Sequence, residues 1–145
     1  MCGNPVQAVW DLRVTDSDMP AGDSLDGQGG PSNVGGAPID LAHLRRYTMG
    51  DSGLELEILG LFADQLPITI GALLNAPTEK DWAMAAHTLK GSSRAVGAWP
   101  LAAIAEGAER LHGLPDEDVR RAVVRRLEMA AREAREYIAS LARAA

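Results

Sequence analysis

Between Ser52 and Leu141 the apolar residues return every three or four positions, and no stretch alternates with the two-residue rhythm of a strand. A chain patterned this way presents apolar stripes, and it buries a stripe by packing helix on helix. We therefore expect an all-α fold. The longest stripe is Leu54, Ile58, Leu61, Phe62, Leu66, Ile70, Leu73 and Leu74. Pro67 lies inside it. Proline lacks an amide donor and crowds the preceding turn, so a bend near Asp64 to Leu66 is expected; the stripe continues past it, which argues against a break. Ser52 with Glu55 reads as a capping box at the start.

The other segments follow from start and stop signals. Ile39 to Tyr47, with Leu41 and Leu44, reads as a short helix. Thr78 is placed to cap a helix from about Glu79 to Val96, with Glu79 and Asp81 favourable in its first turn and Gly97 placed to end it. Pro100 suits the first turn of a helix carrying Leu101, Ile104, Ala108 and Leu111, closed by Gly113 and Pro115. From Asp116 a helix of more than twenty residues carries Val119, Val123, Leu127, Ala130, Ala134, Ile138 and Leu141. The expected architecture is an antiparallel up-down four-helix bundle over residues 39–145, its short N-terminal helix covering one end. Residues 1–38 are rich in Gly, Asp, Ser and Pro and are expected to be a disordered tail.

Charge and cysteine content narrow the function classes. The net charge of −6 argues against nucleic acid as the main partner and favours a protein. Cys2 is the only cysteine, so no internal disulfide forms, and no Cys and His spacing resembles a zinc site. A reducing, cytoplasmic setting is expected. No uninterrupted apolar run nears the roughly 18 residues of a membrane span, and the N-terminus lacks the pattern of a signal peptide, so no membrane association is expected.

One helix carries an unusual set of polar residues. At 3.6 residues per turn, Trp82, Ala85, Ala86, Leu89, Ser93 and Val96 share one face of the Glu79–Val96 segment, with His87, Gly91 and Arg94 opposite and Lys90 at the edge. An imidazole has an ordinary pKa near ~6.5, so at physiological pH it is largely neutral and one ring nitrogen offers a lone pair to an electrophile. Lys90, one turn on, brings an ammonium within reach of charge building on a phosphoryl group at that ring. Gly91, at i+4, costs roughly 1 kcal/mol against alanine in a helix interior, which suggests close approach by another protein.

The run His87-Thr-Leu-Lys90-Gly91-Ser92, followed by Gly97, resembles the signature of the histidine-containing phosphotransfer (HPt) domain family of two-component phosphorelays. The resemblance extends more weakly from about Ile39 to Leu141, through Phe62, Leu101 and Glu109. It implies that His87 is the phosphoacceptor, that Lys90 contacts the phosphoryl oxygens, that Gly91 gives the partner access, and that Ser92 and Gly97 are helix-packing positions. It also implies that Glu109 comes near the histidine from the neighbouring helix, where it could hydrogen-bond the other ring nitrogen and orient the ring. The expected partners are receiver domains of response regulators and hybrid histidine kinases. The receiver would supply magnesium and most catalytic groups, and this chain no cofactor of its own.

The reading that follows is a free-standing, bacterial-type phosphocarrier, not an enzyme, since no Gly-rich phosphate loop or other nucleotide signature is present. Docking is expected through Ala83, Met84, Arg94, and Leu41 or Leu44. A monomer is preferred. The alternative is a helical adaptor that binds a receiver or kinase without transferring phosphate. Ser92 and Ser93 are better read as packing residues than as kinase targets. Asp40 with His43, and Glu109 with His112, space a carboxylate and an imidazole one turn apart, but the inward glutamates of a di-iron bundle are missing, so no metal site is expected. His43 is expected at the surface. Arg120, Arg121, Arg125 and Arg126 read as a solvated helix face.

Overall fold

A computed structural model describes residues 37–144, so nearly all of the expected tail lies outside the described residues. Five helices follow: α1 Leu41–Thr48, α2 Ser52–Leu74, α3 Glu79–Val96, α4 Trp99–Glu109 and α5 Glu117–Ala144. Among the described residues there is no strand. Each of α2 to α5 packs on its neighbour in the chain or closes the ring, α2 on α3, α3 on α4, α4 on α5 and α5 on α2. α1 lies against α2 and α3.

The ends of α3 follow from local chemistry. Thr78 Oγ1 accepts the Asp81 amide at 3.1 Å, and Gly97 takes the left-handed conformation, φ 80°, that ends a helix at low cost. Trp82, near the start of α3, donates its indole N–H to the Ala108 carbonyl at the end of α4, 2.9 Å away. Since Gly97 and Ala98 join the other ends, the two helices run antiparallel. Ala86, Gly91, Ala95, Ala102, Ala105 and Ala108 are all buried, and such small residues let α3 and α4 approach closely. Phe62, Leu59, Leu66, Leu73, Trp82, Leu89, Leu101 and Leu127 fill the core, each worth roughly 1.5–3 kcal/mol on burial.

Asp40 fastens α1. It is buried; Oδ1 accepts the His43 amide at 3.2 Å, Oδ2 accepts the Trp99 indole N–H at 2.9 Å, and its own amide donates to the Gly97 carbonyl at 2.9 Å. The Asp40 to His43 spacing is thus an N-cap. The His43 ring stacks edgewise on Trp99, centroids 4.9 Å apart, and is half-buried instead of lying at the open surface.

Several expectations change. Asp51, not Ser52, caps α2, accepting the Leu54 amide at 3.0 Å. Glu55 instead turns inward, where Arg45 Nε (3.1 Å) and Thr48 Oγ1 (3.3 Å) donate to it, because α1 brings a charged donor that a lone backbone amide does not outbid. α2 does pass through Pro67 as one helix, unbroken as its continuing stripe implies, with the proline exposed. α2 is also long and apolar enough to cross a membrane by composition, yet it packs against α3 and α5 with Leu59, Phe62, Leu66, Ile70 and Leu73 buried. α4 stops at Glu109, and Leu111, beyond it, keeps the helical spacing without being covered. Arg120 leaves the solvated face: its Nη1 donates to the carbonyls of Leu74 and Ala76, each at 2.9 Å, and the guanidinium stands 5.9 Å from the Trp82 ring. The start of α5 is thereby tied to carbonyls at and just beyond the end of α2.

Candidate functional site

His87 sits at the middle of α3 with its side chain 45% exposed. Its Nδ1 lies 2.9 Å from Glu109 Oε2 on the last turn of α4. Lys90, one turn along α3, places Nζ 2.6 Å from the other oxygen, Oε1. One carboxylate therefore bridges the two residues. Burial alone would raise the pKa of Glu109, but the hydrogen bonds and charges of Lys90 and His87 outweigh it and hold the carboxyl below its ordinary value. An ionised carboxylate can only accept, so Nδ1 must carry the ring proton. In the neutral ring, Nε2 then keeps the lone pair.

The pairing continues along the seam. Arg94, a turn beyond Lys90, faces Glu106 at 3.6 Å, and Glu106 also accepts from Arg110 at 2.9 Å. Lys90 and Arg94 of α3 thus meet Glu109 and Glu106 of α4 in order.

The remaining predicted residues divide. Ser92 Oγ donates to the Leu89 carbonyl at 3.3 Å, while Ser93 is fully buried. Gly97 packs so tightly that an added Cβ would lie 2.7 Å from the Asp40 carbonyl oxygen. Met84 is 58% exposed and Ala83 half-buried, both on α3 ahead of the histidine. Gly91 is buried, contrary to the solvent face expected of it. The wheel places Gly91 away from Trp82, but α3 is enclosed by α1 and α4 as well as α2, so more than one stripe is covered. Its backbone is therefore not part of the open surface around His87. Leu44 is likewise a core residue, 2% exposed, so α1 does not present it for docking, whereas Leu41 is half-buried, resting in part against the core. Among the described residues no group of three or more His, Cys, Asp or Glu side chains could hold a metal ion.

Two anchoring groups were not singled out from sequence. In the sequence Asp40 stands out only by its spacing to the His43 ring, and Arg120 only as part of a charged run. The capping spacing of Asp40 was a usable signal; nothing local pointed Arg120 at residues 44 to 46 positions earlier.

The family model for the Hpt domain matches residues 57–144, more than half of the chain. The chain belongs to the Hpt domain family. Its match begins inside α2, so the Hpt segment holds α3, α4, α5 and most of α2, with α1 ahead of it. No curated protein and no solved structure matches this chain. Hpt domains are helical bundles that carry phosphoryl groups in phosphorelays and meet receiver domains there, without a kinase core of their own.

Proposed function

We propose that this Hpt domain passes a phosphoryl group between receiver-domain aspartates through phosphohistidine at His87. The observation that carries the reading is the single carboxylate of Glu109 bridging His87 and Lys90, which leaves Nε2 as the nucleophile with a cation one turn away. In the forward step the Nε2 lone pair attacks the phosphorus of an aspartyl phosphate. The N–P bond forms, the P–O bond to aspartate breaks, and its electron pair leaves with the carboxylate. No base is needed, because the attacking nitrogen carries no proton. Lys90, shared with Glu109, offers its charge to the phosphoryl oxygens.

Magnesium belongs to the receiver on this reading. Met84 and Ala83 supply apolar contact beside the histidine, and Arg94 extends the charged edge of that surface. The carrier works as a monomer in a bacterial cytoplasm.

The test is transfer from phosphorylated receiver domains of the source organism, following acid-labile, base-stable label. Label should enter the wild type and not His87→Gln. If receivers bind both proteins and label neither, the chain is an adaptor.

A further inference from the structure

Given His87 as the phosphoacceptor, we propose that Glu109 does more than orient the ring: its charge keeps Nδ1 protonated in the phosphohistidine, so that the phosphoryl group leaves a neutral imidazole when it moves on. Phosphorylation at Nε2 consumes the lone pair of the ring. With Nδ1–H retained, the ring is a cation. If that proton were lost, the product would be a neutral phosphoimidazole, and the next transfer would have to expel imidazolate, a far stronger base and a poorer leaving group. A carboxylate oxygen 2.9 Å from Nδ1 favours the cation by charge as well as by hydrogen bonding.

The surroundings leave this charge directed at the ring. Lys90, on the same helix, takes Oε1, while Oε2 is given to Nδ1. From α4, Glu106 is committed to Arg94 and Arg110. Among the described residues, neither α1 nor α2 forms an ion pair with α3. A phosphoryl group at Nε2 draws the Lys90 ammonium toward itself, which leaves more of the carboxylate's charge facing the ring.

In the return step the incoming aspartate oxygen attacks phosphorus. The O–P bond forms, the N–P bond breaks, the electron pair returns to Nε2, and Nδ1 keeps its proton throughout. Glu109 is therefore a positioning residue whose charge sets how readily phosphohistidine gives up its group.

Glu109→Gln separates charge from geometry, since the amide oxygen can accept the same Nδ1–H bond. Protein labelled with 15N-histidine is phosphorylated with phosphoramidate, and ring 15N and 31P shifts are followed against pH. The phosphorylated ring of Glu109→Gln should titrate at least about one pH unit below wild type, one unit being a tenfold change in the protonated ratio. Transfer to a receiver should fall about tenfold at pH 8 and converge with wild type near pH 6. Matching titrations in wild type and Glu109→Gln, or an equal loss of transfer at both pH values, would overturn the charge role and leave the acceptor assignment standing. Phosphohistidine absent from His87 in the wild type would overturn both.

Discussion

Gly97→Ala tests how α1 is held to the bundle. Gly97 has φ 80°, and for an L-residue the left-handed region costs about 1–2 kcal/mol. The new Cβ would also lie 2.7 Å from the Asp40 carbonyl oxygen and 2.9 Å from Asp40 Cβ. Asp40 cannot retreat freely, because its amide bonds Gly97 and its carboxylate accepts the Trp99 indole, both at 2.9 Å. Moving it forfeits one or both bonds, about 1 kcal/mol each. The expected loss is about 3 kcal/mol, a large part of the roughly 5–15 kcal/mol that holds a domain together. Gly113→Ala is the internal reference: φ is 77° there and nothing lies within 4 Å of the added Cβ, so it reports the backbone term alone, about 1–2 kcal/mol. Urea unfolding followed by far-UV circular dichroism measures both, provided the slope is unchanged. If Gly97→Ala lost no more than Gly113→Ala, the close seating of Asp40 on Gly97 would be refuted.

Other substitutions probe the remaining anchors. Arg120→Met removes donors to two carbonyls and a cation beside Trp82, and should lower unfolding free energy by about 2 kcal/mol in the same urea assay. Glu109, held below the ordinary carboxylate value of 4.5, stabilises the fold fully above that value; this contribution fades as pH falls below it toward the lowered folded-state value. Urea midpoints of wild type should therefore fall more steeply than those of Glu109→Gln as pH drops from 6 to 3, and parallel curves would remove the coupling. Met84→Asp should weaken receiver binding in calorimetry at unchanged thermal midpoint, whereas Leu44→Asp, at a core position, should lower the midpoint by more than about 10 °C.

What could be read along the chain was what short-range physics decides. Thr78 and Gly97 mark the ends of α3 because capping bonds and a positive φ are properties of a few adjacent residues. His87 and Lys90 share an edge because three positions make nearly one helical turn. The family's six-residue core is local in the same sense, and so survives in a sequence without any neighbour in view.

Decisions between helices needed the assembled bundle. Nothing in the residues around Glu55 tells whether it caps α2 or turns toward Arg45 and Thr48; the crossing of α1 decides it. Gly91 lies off the apolar stripe of α3, and Leu44 lies on the short stripe of α1; both are buried because each of those helices meets more than one neighbour. The same holds for chemistry: the family resemblance brought Glu109 toward His87, but only the seam between α3 and α4 gives one of its oxygens to the imidazole and the other to Lys90. Asp40 meets Trp99 across 59 positions and Arg120 reaches back to Leu74 across 46. Periodicity fixes which residues share a stripe. The rotation of each helix, and the neighbours that close over it, emerge only when all the stripes are satisfied at once.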